Sequence, residues 1–156
     1  MGVLILVCAA MVMCVHRKKL NMIQAAAVLT LVVFLGIVFG STVFTRTGTI
    51  RQYELVPFWS WRDIIRYHDW TLLKENLLNC ILLLPAGVLL PIIANHKIKW
   101  YQALVVGILV SAIIEFSQLI FMRGLFEWDD MIHNGLGCMI GCMVTHYIKN
   151  VWRKNK

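Results

Sequence analysis

Residues 20–44, 76–95 and 101–114 carry no charged side chain, and each run is apolar on every side rather than on one face. A soluble core in a chain of 156 residues cannot cover that much apolar surface. About 20 apolar residues at about 1.5 Å per residue instead match a hydrocarbon layer about 30 Å thick. Inside hydrocarbon every backbone N–H and C=O must be paired within the segment, which makes these runs helices. The chain is 60% hydrophobic and 15% charged, with a mean hydropathy of +0.73, far too apolar for a soluble domain of its size. The fold expected is all-α: a polytopic helical membrane protein with about five transmembrane helices, forming one integral membrane domain over residues 1–156.

The net charge of +7 raises the question of nucleic acid. Nucleic-acid binding needs the cations gathered on one soluble face, whereas here they fall between apolar runs, so that class is set aside. Cys8, Cys14, Cys80, Cys138 and Cys142 all lie inside apolar runs. That placement suits small packing residues, not a disulfide framework or a zinc site.

Taken in order, the spans are about 1–15, 20–44, 76–95, 101–122 and 130–148. The first is short, and the basic Arg17, Lys18 and Lys19 follow it, which reads as a span with its N-terminus outside rather than a secretory signal. The second holds Gly36 and Gly40, and the fifth Gly137 and Gly141, at the G-x-x-x-G spacing that permits close helix contact within the chain or between copies. In the third span Pro85 removes a backbone donor, so a kink is expected there, with the Ile81 carbonyl freed. The connection 45–75 contains Ser60-Trp61-Arg62-Asp63, resembling a helix-starting box, with Trp61, Ile64, Ile65 and Leu72 near helical spacing. This predicts an external amphipathic helix lying in the interface.

Orientation follows from the cations. Placing Arg17, Lys18, Lys19, Lys97, Lys99, Lys149, Arg153, Lys154 and Lys156 inside leaves no acid on that side, which puts the N-terminus out and the C-terminus in. Trp59, Trp61, Trp70, Trp100, Trp128 and Trp152 all then fall at interfaces, as an aromatic belt requires.

The functional candidates crowd around the bend between the last two spans. Ser111, Glu115, Gln118 and Met122 share a helix face, and Glu115 lies roughly 10 Å below the outer end of its helix. An ionisable side chain at such depth is expensive and marks a functional site by default. Arg123, Asp129, Asp130, His133 and Asn134 follow at the bend, and Asn76 and Asn79 sit at similar depth on the third span. Asn76, Asn79, Glu115, Gln118, Arg123, Asp130, His133 and Asn134 are therefore expected to line one polar pocket in the outer leaflet. Each also has a plainer reading. The asparagines can bridge helices, Glu115 with Gln118 can lock a helix pair, Arg123 can pair with Asp130, and His133 can simply pack. Asp129 reads as a solvated starter of the last span.

Val56-Pro57-Phe58, Glu75-Asn76-Leu77-Leu78-Asn79, Leu84-Pro85-Ala86-Gly87, Glu115-x-x-Gln118 and Arg123-x5-Asp129-Asp130-x-x-His133-Asn134-x-x-Gly137 together resemble the VanZ-like family of small bacterial membrane proteins, over about residues 56–141. His133 and Ala86 depart from the usual pattern. The resemblance implies a multi-pass protein of the bacterial plasma membrane, associated with low-level teicoplanin resistance, with no assigned reaction. Three classes stay open. The protein binds a polar ligand or lipid headgroup at an outer-leaflet pocket, its partners being membrane lipids and either a lipid-linked cell-wall precursor or a lipoglycopeptide antibiotic. Alternatively it is an intramembrane enzyme acting on a lipid headgroup or lipid-linked precursor through Glu115, Asp130 and His133. Or it is a structural or assembly partner, with homo-oligomers formed through the glycine-rich faces. No nucleophile or phosphate-loop motif is present, and neither cofactor nor metal is expected.

Overall fold

The computed structural model describes residues 16, 20–45 and 50–155. Six α-helices are present among them: α1 Met22–Phe39, α2 Trp59–Tyr67, α3 Trp70–Leu82, α4 Leu84–Ala94, α5 Trp100–Phe121 and α6 Trp128–Lys154. A π-helical turn, Gly40–Phe44, extends α1, and two short strands, β1 Gln52–Glu54 and β2 Leu125–Glu127, pair in parallel with Tyr53 opposite Phe126.

Three stretches are long and apolar enough to cross a membrane: Met22–Phe44, Trp70–Ala94 and Trp100–Phe121. They correspond to the second, third and fourth spans read from the sequence. The first span, with Cys8 and Cys14, lies outside the described residues. The fifth corresponds to α6, the longest helix at 27 residues but a less apolar one. Its polar residues face the protein: His133, Asn134 and Thr145 are buried, and α3, α4 and α5 all pack against it. A helix face covered by other helices can carry polarity that a face toward lipid cannot.

Glycine sets how closely α6 is held. A Cβ on Gly137 would run into the Cys80 carbonyl of α3, one on Gly141 into the Leu84 carbonyl of α4, and one on Gly87 into the Cys138 carbonyl of α6. In lipid no hydrophobic force draws helices together, so backbone proximity and packing must do so, and small residues are what allow it. Cys138 and Cys142 fill the same seam, fully buried beside Leu83 and Ala103. Gly36 and Gly40, by contrast, have no described residue within 4 Å of a Cβ.

The expected break at Pro85 is present. Helix α3 stops at Leu82, Leu83 leaves helical geometry at φ −99° and ψ 5°, and Pro85 falls in the first turn of α4, where its missing N–H costs nothing. The Ile81 carbonyl is not left free, because the Leu83 N–H points to it.

The 45–75 connection differs from its sequence reading in three ways. The helix start is Phe58, in left-handed geometry at φ 60°, not Ser60, which lies inside the first turn of α2. The apolar repeat is split: His68, also left-handed, ends α2, and the Asp69 side chain accepts from Thr71 N and Leu72 N to start α3, so Leu72 belongs to the next helix. As a result α3 begins at Trp70, six residues before the apolar run itself. The strand pair was not foreseen, because three residues carry no readable period and parallel pairing depends on chain segments about 70 positions apart.

Candidate functional site

The bend between α5 and α6 brings four elements to one end of the helices, where buried and half-buried polar side chains form a cluster of three hydrogen-bonded groups. Its core is Asp129, only 2% exposed. One carboxylate oxygen accepts from the Phe58 N–H at 2.6 Å; the other accepts from the Ser60 N–H at 3.2 Å and the Ser60 hydroxyl at 2.6 Å. Ser60 Oγ in turn accepts from Asn76 Nδ2 at 3.1 Å. Asp129 is thus not a solvated starter of α6. It caps the first turn of a different helix, α2, satisfying N–H groups that α2 cannot pair itself and holding Phe58 in its left-handed conformation. Sequence separation hid this role, since a capping side chain is normally sought just before the helix it serves.

One helical turn further along, Trp61 Nε1 donates to His133 Nε2 at 2.8 Å, with the rings tilted against each other. Indole is only a donor, so Nε2 must accept and the ring proton sits on Nδ1. That Nδ1 is buried without a hydrogen-bond partner among the described residues, as is Asn134 Oδ1 on the next residue. Asn134 Nδ2 donates to Ser111 Oγ at 2.9 Å, and Asn79 Nδ2 donates to Asp130 Oδ1. Asn76, Asn79, Asp130, His133 and Asn134 are therefore gathered on α3 and α6 beneath α2, with Ser111 added from α5.

The other three expected residues tie chain ends together. Glu115, 3% exposed, accepts the Glu127 N–H at 3.1 Å and so fixes the end of β2. Gln118 Nε2 donates to the Thr42 carbonyl at 3.1 Å, and Arg123 Nη1 to the Phe44 carbonyl at 3.0 Å. Those carbonyls belong to the π turn, where the ordinary helical bonding pattern ends, so α5 and the bend supply donors that α1 lacks.

Glu127 is a site residue that sequence reading passed over. Burial pushes its carboxyl up to about 7, helped by the negative charges of Asp130, Asp129 and Glu75. The Trp59 indole beside it pulls part of the way back, although its N–H lies outside strict hydrogen-bonding geometry. Its only sequence signal was proximity to Asp129 and Asp130. No three of the described His, Cys, Asp or Glu side chains are placed to hold a metal ion.

Long apolar helices around a buried polar cluster at one end define a helical membrane protein with a polar site built into its bundle. The sequence model of the VanZ/LLP1 family matches residues 22–149, most of the chain, and the protein belongs to this family. No curated protein and no solved structure matches it.

Proposed function

We propose that the cluster around Asp130, His133 and Asn134 is a binding site for a polar ligand or lipid headgroup in the outer leaflet of a bacterial plasma membrane, and that through it the protein contributes to resistance to teicoplanin and related lipoglycopeptides. The observation that carries this reading is the pair of unsatisfied buried atoms, the His133 Nδ1–H donor and the Asn134 Oδ1 acceptor, on adjacent residues. Buried polar groups are nearly always paired, and one unpaired donor and one unpaired acceptor in the same cluster suit a ligand that carries both kinds of group. The cation distribution supports the orientation, since the cluster lies at the acid-bearing end. A lipid-linked cell-wall precursor and the antibiotic itself both carry such groups. Family membership supports the resistance phenotype.

Glu115 separates site from scaffold. Glu115→Gln keeps an oxygen to accept the Glu127 N–H but cannot ionise, whereas Glu115→Leu removes the acceptor. A fluorescent reporter fused after Lys156, active only in the cytoplasm, reads abundance and orientation together, beside the teicoplanin inhibitory concentration. Loss of resistance with Gln at normal abundance is the expected result. Full resistance with Gln would leave Glu115 as an anchor for β2 and favour the assembly role.

A second reading draws on Glu127. A carboxyl held near neutrality beside Asp130 has the protonation behaviour a general acid or base needs, so headgroup hydrolysis or transfer is the enzymatic alternative.

A further inference from the structure

At the opposite end of the helices, the turn between α4 and α5 and the last turns of α6 enclose a groove of about 490 Å³. It lies roughly 18 Å from the polar cluster, the rise of the 12 residues from Asn134 to His146 along α6. Lys97, Lys99, Trp100, Tyr101, His146 and Tyr147 line it. His146 Nε2 is 2.9 Å from the Ile98 carbonyl, which pins the turn to α6. Lys99 Nζ stands 5.6 Å above the Tyr101 ring.

We propose that this groove binds an anionic phospholipid, with the phosphate between Lys97 and Lys99 and the acyl chains along Trp100, Tyr101 and Tyr147. Charge is the first argument. No acidic residue occurs from Asn76 to Ile114 or from Met131 to the last residue, so no carboxylate competes for these ammonium groups. The first turn of α5, Trp100 and Tyr101, also presents the positive end of a 22-residue helix dipole to the groove. The walls are the second argument. Trp100 is 56% exposed and Tyr147 71% exposed, so a small soluble anion would occupy the cationic part and leave the aromatic faces uncovered. A lipid covers both, and amphipathic aromatic rings settle at headgroup level in a bilayer. Basic pockets between membrane helices are recurrent sites for anionic headgroups.

This inference is independent of the polar cluster. The test uses the full chain in neutral detergent, with bound lipid counted by native mass spectrometry during titration with phosphatidylglycerol or phosphatidylcholine. Wild type should prefer phosphatidylglycerol, and each lysine should contribute about fivefold to that preference. Lys97→Ala/Lys99→Ala should therefore remove most of it, whereas Arg62→Ala/Arg66→Ala on α2 should retain it. Trp100→Ala should weaken retention of phosphatidylglycerol with both lysines in place. If the double lysine variant misfolds, added salt should still reduce the wild-type preference. Equal retention of the two lipids, an equal loss in the α2 variant, or full displacement by millimolar glycerol 3-phosphate would overturn the proposal, the last by showing a site for free phosphate.

Discussion

Helices α1 and α6 each carry glycines four residues apart, Gly36 with Gly40 and Gly137 with Gly141, yet the two pairs sit in opposite surroundings. Around Gly36 and Gly40 nothing among the described residues approaches within 4 Å of a Cβ, and Ile37 between them is 64% exposed. Around Gly137 and Gly141 the backbone carbonyls of Cys80 and Leu84 occupy the space a side chain would need. The spacing is identical, so spacing alone says only that a close approach is permitted. Whether it happens depends on what faces the helix. Helix α6 faces a broken partner, and the interruption at Leu83 lets both halves, α3 and α4, lie along its glycine seam. Backbone contacts of this kind allow weak Cα–H···O interactions that recur at helix crossings.

The sharpest way to break the comparison is to add a side chain at each seam. Gly137→Leu must displace backbone, and overpacking without a flexible neighbour costs more than the usual 1–3 kcal/mol. Folded protein recovered by size exclusion should fall to background, whereas Gly36→Leu should leave monomer yield and thermal stability unchanged within about 0.5 kcal/mol. Equal damage from both would mean that α1 uses its glycines after all, in a contact that lies outside the described residues or between copies of the chain.

The starts of the same two helices give a second contrast. Asn21 caps α1 locally: its side chain accepts from Gln24 N at 2.8 Å while Gln24 Oε1 accepts from Asn21 N at 3.0 Å, both near water. Asp129, at the start of α6, is buried and caps α2 instead. Asn21→Ala should cost about 1 kcal/mol. Asp129→Ala strands a buried N–H and a buried hydroxyl of Ser60 and the half-buried Phe58 N–H, and should cost about 2–4 kcal/mol. It should also raise hydrogen exchange and protease cleavage across residues 58–67, well before the rest of the chain opens. If exchange there is unchanged, α2 is held by Trp61 and His133 alone.

A pH-dependent effect, smaller than that of Asp129→Ala, concerns Glu127, on the interlocked side. Its carboxyl is raised from 4.5 to about 7 in the folded protein, so the neutral form is the one folding favours. Below about pH 4.5 the group is protonated folded or unfolded and imposes no penalty. As pH climbs through 7 the unfolded chain gains by ionising and stability is lost. Glu127→Gln should therefore match wild type at pH 4.5 and exceed it at pH 8.5 by about 1–2 kcal/mol, after allowing for partial solvent screening. Thermal midpoints at the two pH values in detergent check this, and a pH-independent difference would show that Glu127 ionises freely.

Most of the secondary structure was legible because it follows from local requirements. Residues 20–44, 76–95 and 101–122 had to be helical, since no other backbone pairing survives in hydrocarbon, and the break at Pro85 followed from its missing donor. The polar side chains were legible as composition, because they stand out in so apolar a setting, and Asn76, Asn79, Asp130, His133 and Asn134 lie near one another on α3 and α6. Their partners were not legible. Gln118 and Arg123 complete the end of α1 through the Thr42 and Phe44 carbonyls, and Asp129 caps a helix about 70 residues earlier.

Solvation acting on each residue in turn is enough to say which segments are helices and which residues are too polar for lipid. Only the tertiary structure decided which glycine pair is closed, which acid is a cap, which carboxyl titrates near 7, and that two atoms of His133 and Asn134 remain unsatisfied. Those properties depend on distances between groups far apart in the chain, and a hydrogen bond or a desolvation penalty changes within an ångström or two, far finer than any sequence spacing specifies.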